Sequence, residues 1–326
     1  METIVESPLI RSKYNPILSS NDLNYPSNLV FNAGVVKFRG RYIMAFRNDY
    51  NYSKLMFDNF LLGKGSLHAP SSNIGIAYSY DGIHWKPNTE PSLELENEEI
   101  RRIYDPRLTV IEDRCYITFA IDTKFQDNRC GIAITDDFEH FELISVTPPN
   151  NRNVLLFPSK INGLYYRLER PFNGNNGDIW ISSSPDMIHW GNWQRLLCSK
   201  RLQFCNSKIG PGAPPIKTEK GWLTTFHTVT ESEELFYSWS GDWNRKYCMG
   251  IMLLDLDNPA EIIGIYDKPL LKPEMDYELK GFRGNVVFPG GMILEESGEV
   301  KIYYGAADTV ECMATAHVDD LLSLCL

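Results

Sequence analysis

The sequence predicts an all-β chain closed into a five-bladed propeller, and three observations carry that prediction. Short β-rich runs punctuated by Gly, Asp and Asn recur throughout, whereas a sustained 3.6-residue apolar period is hard to find. One unit occurs five times: an apolar strand, a tight polar turn, then a strand opened by an aromatic or apolar anchor. A second signature follows the first three of these units. Five hairpins, each extended by another strand or two, are the arithmetic of a five-bladed propeller, which places residues 1–326 in a single domain.

The hairpins, in chain order, are VVKFRGRYIMAFR (35–47), TVIEDRCYITFAI (109–121), PSKINGLYYRLER (158–170), PIKTEKGWLTTFH (215–227) and MILEESGEVKIYYG (292–305). Their anchors are Tyr42, Tyr116, Tyr165, Trp222 and Val300, and the unequal intervals between them imply variable loops on a repeated hairpin. The second signature reads Ser79-x-Asp81-x-x-His84-Trp85, Thr135-x-Asp137-x-x-His140-Phe141 and Ser184-x-Asp186-x-x-His189-Trp190. Looser versions are expected near Asp255-Leu256-Asp257 and Asp319-Asp320. A strand ending in an Asp-stabilised turn accounts for the motif, so His84, His140 and His189 are assigned to structure.

Charge narrows the function. The 32 basic and 42 acidic side chains give a formal net charge of −10, and a protein this acidic offers no general basic surface for a polyanion. Nucleic acid is therefore not an expected partner. The opening METIVESPLIRSKYNP has acids and prolines where a signal peptide needs a basic region followed by an apolar one, and no apolar run is long enough to span a membrane. These features lead us to expect a soluble, cytoplasmic protein with no membrane partner. Seven cysteines without a C-x-x-C pair fit reduced thiols better than a disulfide framework or a zinc site.

An antiparallel hairpin returns the chain to the end from which it left, so residues just before and just after each hairpin share one end of the propeller. That end collects Phe31-Asn32, Tyr104-Asp105-Pro106-Arg107, Arg152-Asn153, Lys208 and Gly284-Asn285 before the hairpins, and Arg47, Asp49, Asp122, Arg170, His227 and Asp308 after them. Turns at the other end, such as Arg39-Gly40 and Asn162-Gly163, are ordinary surface chemistry. Arg47, Arg107, Arg152, Arg170 and Lys208 converging on one pocket, with His227 as a potential further cation, point to a small anion, and a carboxylate beside them points to acid catalysis.

The blocks FNAGVV (31–36), YDPRLTVIEDRCYITF (104–119), NRNVLLFPSKINGLYYRLERP (151–171), SSSPDMIHWG (182–191), KIGPGAPPIKTEKGWLTTFH (208–227), NVVFPGGMI (285–293) and IYYGAADT (302–309) resemble glycoside hydrolase family 130, the inverting β-mannoside phosphorylases. The resemblance covers nearly the whole chain and implies a five-bladed propeller. It also implies phosphorolysis: inorganic phosphate, as co-substrate, attacks C1 of a terminal β-mannosyl unit, giving α-mannose 1-phosphate and a shortened sugar. No cofactor or metal is implied. Because phosphate is already anionic, one carboxylic acid suffices where an inverting hydrolase needs two.

By position, Asp105 matches the family's general acid, thought to pass its proton through the mannose 3-hydroxyl. Arg152, Asn153, Arg170, Lys208 and His227 match the phosphate site, with Tyr247 a further candidate. Asn32, Arg47, Asp49, Arg107 and Asp308 match residues expected to bind the mannose. Trp180, Trp239 and Trp243 are candidates for stacking on an acceptor sugar. The chain departs from the expected pattern in the PFNGNNGD loop after Arg170, in TESEELFYSWSGDWNRKYCM (230–249), in FDNFLLGKGSLHAPSSN (57–73) and at Glu169. These departures leave open the acceptor sugar and linkage, and the sequence leaves open the oligomeric state, a homo-oligomer included. Two other readings compete: an inverting β-mannosidase of the same family, in which glutamates replace the phosphate-binding cations, and a noncatalytic glycan-binding propeller.

Overall fold

A computed structural model describes residues 7–53, 56, 58, 62, 71–172 and 177–326. After a short N-terminal strand, β1 (Ile10–Arg11), the chain winds through five antiparallel sheets. The first sheet is β2 (Leu29–Phe38), β3 (Arg41–Tyr50), β4 (Ser71–Ser79) and β5 (Lys86–Pro87); the second is β6 (Ile100–Ile111), β7 (Arg114–Thr123), β8 (Asn128–Thr135) and β9 (Glu142–Val146). The third comprises β10 (Asn151–Leu156), β11 (Tyr165–Pro171), β12 (Ile179–Ser184) and β13 (Gly191–Leu197). In the fourth, β14 (Ile209–Pro211) and β15 (Ile216–Lys217) share the innermost position, followed by β16 (Trp222–Glu231), β17 (Arg245–Leu254) and β18 (Ile262–Ile265). Pro214 and Pro215 lie in the break between β14 and β15, where neither can donate to a ladder. The fifth is β19 (Val287–Leu294), β20 (Glu299–Ala306) and β21 (Val310–His317), with β1 as its outermost strand.

The innermost strands pack around one axis: β2 against β6, β6 against β10, β10 against β14, and β19 back onto β2. Pairing of Ile10 with Thr315 and Arg11 with Ala314 joins the start of the chain to its last blade, so the ring is closed by hydrogen bonds. The apolar core lies between neighbouring blades. Trp222, 1% exposed, packs edge-on to Phe157 between blades three and four. One packing device repeats in blades one, two and four: a Phe on the second strand (Phe46, Phe119, Phe226) lies over a Gly on the third (Gly75, Gly131, Gly250), its paired residue. A Cβ at Gly75 would come 2.2 Å from the Phe46 ring, so Ala there has no room.

The Asp turns join the third strand to the fourth in blades one to three. Asp81 Oδ1 accepts the Ile83 and His84 backbone N–H groups at 2.8 and 2.9 Å, and Oδ2 meets His84 Nδ1 at 2.7 Å. Asp137–His140 and Asp186–His189 repeat the arrangement on the exposed surface. Asp255 makes the same backbone turn toward Asp257 and Asn258. Asp319-Asp320 does not: a short α1 (Asp276–Leu279) precedes β19, and Asp319 and Asp320 open α2 (Val318–Cys325), capped by His317. Two carboxylates in a first helical turn complement the helix dipole, which the turn-based expectation overlooked.

All seven cysteines are free thiols, and six are buried. No helix among the described residues is long and apolar enough to cross a membrane.

Candidate active site

The functional side chains are aimed by irregularities in the innermost strands. In β2, β6 and β10 the register shifts between Phe31 and Gly34, Tyr104 and Arg107, and Arg152 and Leu155. Within each shift sits one residue in the left-handed region: Asn32 at φ 56°, Asp105 at 51° and Asn153 at 57°. A bulge re-aims a side chain at the expense of the ladder, and Asn and Asp tolerate this conformation best. Asp308, at φ 50° after β20, adds a fourth. Such strain costs roughly 1–3 kcal/mol per residue and is characteristic of functional sites. The Asn or Asp ahead of the hairpins of blades one, two, three and five was visible in the sequence; its shared conformation was not.

These residues meet in a cavity of about 270 Å³ at one end of the axis, whose walls include Asn32, Arg47, Asp105, Arg152, Asn153, Arg170, Lys208, His227, Tyr247 and Asp308. On one wall, Arg47 grips Asp49 with two hydrogen bonds of 2.8 and 2.6 Å and reaches Asp105 Oδ1 at 3.1 Å. Asn32 Nδ2 donates to the same Oδ1 at 2.9 Å, so the other oxygen of Asp105 is held by no described residue. Burial disfavours the charge on Asp105, but Arg47, Arg152, the Asn32 hydrogen bond and Arg107 outweigh it, and the carboxyl lies below its ordinary range. Burial dominates at Asp308, whose carboxyl is pushed up despite Arg283 at 3.5 Å.

The opposite wall is cationic without matching carboxylates. Arg170 Nη1 donates to His227 Nε2 at 2.9 Å, while its Nε finds no partner among the described residues. Gly210 permits this pair, since a Cβ there would sit 2.5 Å from His227 Cε1. Burial, reinforced by Arg152, pulls Arg170 down to about 10. Burial, reinforced by Arg170, Arg245, Arg152 and Arg283, pulls Lys208 down to about 7. Tyr247 stacks between His227 and Trp243, forming an aromatic slab beneath these cations. Closely spaced, underneutralised cations of this kind suit a small multivalent anion.

Three expectations need correction. Arg107 does not line the cavity: its guanidinium donates to the carbonyls of Gly212, Asn32, Pro106 and Pro289 at 2.7–3.3 Å, so it pins inner strands of four blades and has no fork left for a sugar. Asp49 is wholly buried behind Arg47, acting on the cavity through that guanidinium. His227 is not a cation, because burial and then Arg170 hold its pKa well below the ordinary value, and its Nε2 accepts from Arg170.

Other features fall into place around the site. Glu169 turns away from the cavity to meet Arg167 at 2.8 Å, as strand alternation requires. Trp243 lines the cavity, Trp239 is 42% exposed in the loop between β16 and β17, and Trp180 lines a separate groove on blade three. Most of the 57–73 insert, and residues 173–176 of the PFNGNNGD loop, lie outside the described residues. A larger cleft of about 710 Å³ shares Arg47, Arg152, Arg283 and Asp308 with the first cavity and adds Tyr52, Arg102, Tyr104, Asp122 and Phe282. Arg245, Arg283 and Phe288, also on the walls, had been missed. Arg245 opens β17, and Arg283 and Phe288 flank the entry to β19, positions that the hairpin-entry pattern did not single out.

The family model described as beta-1,4-mannooligosaccharide phosphorylase, that of glycoside hydrolase family 130, matches residues 11–326. Beta-1,2-mannobiose phosphorylase of Listeria innocua is 38% identical over 259 residues, 77% of this chain and 68% of that protein. Beta-1,4-mannooligosaccharide phosphorylase of Ruminococcus albus is 34% identical over 323 residues, 94% and 88% of the two chains. A solved structure of beta-1,2-mannobiose phosphorylase from Listeria innocua, in complex with beta-1,2-mannobiose, superposes with a TM-score of 0.82 at 30% identity, covering 97% of this chain and 99% of that one. Family match, relatives and propeller agree with the blocks read from the sequence: the chain belongs to glycoside hydrolase family 130.

Proposed function

We propose that the protein is an inverting β-mannoside phosphorylase that cleaves a terminal β-mannosyl linkage with inorganic phosphate, releasing α-D-mannose 1-phosphate and a shortened sugar. One observation carries the reading: the Asp105 carboxyl and Arg152 share a cavity with Arg170 and Lys208, two cations that no described carboxylate pairs with. The relatives of known activity, in Listeria innocua and Ruminococcus albus, are named as phosphorylases of β-mannosides. No glutamate lines the described cavity, which disfavours the hydrolytic alternative.

The proposed chemistry follows from the two walls. Mannose lies against Asn32, Arg47 and Asp308, with Asp105 facing its 3-hydroxyl. Phosphate lies against Arg152, Asn153, Arg170, Lys208, His227 and Tyr247. In the free protein Asp105 is held ionised, partly by Arg152. A bound phosphate offsets that positive field, so the carboxyl takes up a proton more readily when the nucleophile is in place. Asp105 then gives its proton to the 3-hydroxyl oxygen, whose own proton passes to the glycosidic oxygen as the C1–O bond breaks. A phosphate oxygen forms the new C1–O bond from the opposite face, which inverts β to α. The acceptor leaves as a neutral alcohol through the larger cleft, and Asp105 is ionised again.

The test is sugar release from β-1,2- and β-1,4-mannobiose with and without inorganic phosphate. Phosphate-dependent turnover yielding mannose 1-phosphate is expected, and equal release of free mannose without phosphate overturns the assignment.

A further inference from the structure

Behind Asn32 lies a buried carboxyl group that the proposed chemistry does not use. Glu311, on β21, is 0% exposed. Its Oε2 accepts the backbone N–H of Ala33 at 3.1 Å and the carboxyl faces the Asn32 N–H, while its Oε1 has no hydrogen-bond partner among the described residues. The contact passes over Gly305, the residue paired with Glu311 on β20. A Cβ at Gly305 would stand 2.2 Å from Asn32 Oδ1 and 2.7 Å from Asn32 N, so the side chain of Asn32 occupies space that only glycine leaves free. Asn32, in the left-handed region, in turn donates to Asp105.

We propose that Glu311 is a positioning residue for Asp105. Its carboxyl caps the Ala33 amide freed by the β2 bulge, thereby fixes the direction of the adjoining Asn32, and through Asn32 fixes the oxygen of Asp105 that must face the sugar. The inference rests on reading Asp105 as the acid. The bulge takes the Ala33 N–H out of the β2–β3 ladder, and without Glu311 that amide would lose the acceptor it has. The titratable or charged groups facing Glu311 are Arg107 from β6 and the neighbouring Cys312 thiol. Burial, opposed by the two amides and Arg107, pushes the carboxyl up to about 8, so near neutral pH it acts mainly as an uncharged acceptor.

The decisive pair is Glu311→Asp, which retracts the carboxyl by one methylene, and Glu311→Gln, which keeps the acceptor and removes the acid. At pH 7, Glu311→Asp should lower kcat on the order of 10- to 100-fold with the KM for phosphate unchanged, as expected for a misplaced reacting group. Glu311→Gln should retain near wild-type kcat. Gly305→Ala, which displaces Asn32 without touching Glu311, should reproduce the Glu311→Asp signature. Wild-type kcat in Glu311→Asp overturns the proposal. So does failure of that variant to fold, or a parallel rise in KM for phosphate, each of which marks a general structural role. Wild type and Asp105→Asn are run alongside. If Asp105→Asn keeps full activity, the reading of Asp105 fails; if it is silent while Glu311→Asp stays fully active, the positioning role fails.

Discussion

Arg47, partly exposed, and Arg170, buried, are both arginines on the wall of one cavity, yet they are held in opposite ways. Arg47 sits between Asp49 and Asp105, with three hydrogen bonds of 2.6–3.1 Å, and although burial disfavours its charge, these carboxylates raise its pKa well above the ordinary value. Arg170 has a neutral imidazole for a partner, an unpartnered Nε and a lowered pKa. A paired buried arginine is a fixed strut, whereas an underpaired one is a desolvated charge waiting for an anion. The comparison divides the site into a half that is complete without ligand and a half that a ligand completes.

The largest break in that comparison is expected at the junction of the halves. Asp105→Asn keeps the hydrogen bond from Arg47 within reach but cannot deliver a proton, so kcat should fall by about 10²–10⁴-fold. Activity assays with a substrate whose leaving group needs no protonation, such as a β-mannosyl fluoride, should show a much smaller loss. A loss of equal size on both substrates would contradict the acid role.

Next in size is the effect on stability, where the two arginines should move in opposite directions. Arg47→Met strands Asp49 and Asp105 without their cation and should destabilise the fold by roughly 3–5 kcal/mol. Arg170→Met removes a buried charge that has no carboxylate and should stabilise the free protein by about 1 kcal/mol, while apparent phosphate affinity falls. Chemical denaturation without phosphate checks both signs. A destabilised Arg170→Met would show that His227 and its neighbours already satisfy the guanidinium.

Much of this arrangement was legible in the sequence because hairpin geometry is local. The five turn-centred units give the blades, and the rule that hairpin starts and ends share one side places Asp105, Arg152, Arg170, Lys208 and His227 together. What the rule could not give was depth. Arg107 stands two residues from Asp105, but the bulge between them turns its guanidinium into the ring of inner strands, against four backbone carbonyls. Asp49 follows Arg47 by two and lies on the same face, yet the arginine covers it. Closure by β1 was also hidden, since a two-residue strand carries no periodicity. His227 looked like a cation because residue type was visible and burial was not.

The smallest expected effect is a proton count at Lys208, and it probes the ligand-completed half directly. Burial and neighbouring arginines hold this lysine at about 7, so at pH 8 it is mostly neutral in the free protein. A bound phosphate dianion favours the ammonium, and binding at that pH should therefore take up a fraction of a proton per site. Calorimetry in buffers of differing ionisation enthalpy should detect the uptake in wild type and lose it in Lys208→Met. The same depression has a consequence without ligand. Between about pH 7 and the ordinary lysine value, the unfolded chain holds a proton that the folded chain has released, so this residue makes stability rise with pH across that window. Lys208→Met should flatten that contribution, whereas a variant of an exposed lysine such as Lys220 should leave it in place. Uptake that persists in Lys208→Met would move the titrating group elsewhere on the wall and blur the division between its two halves.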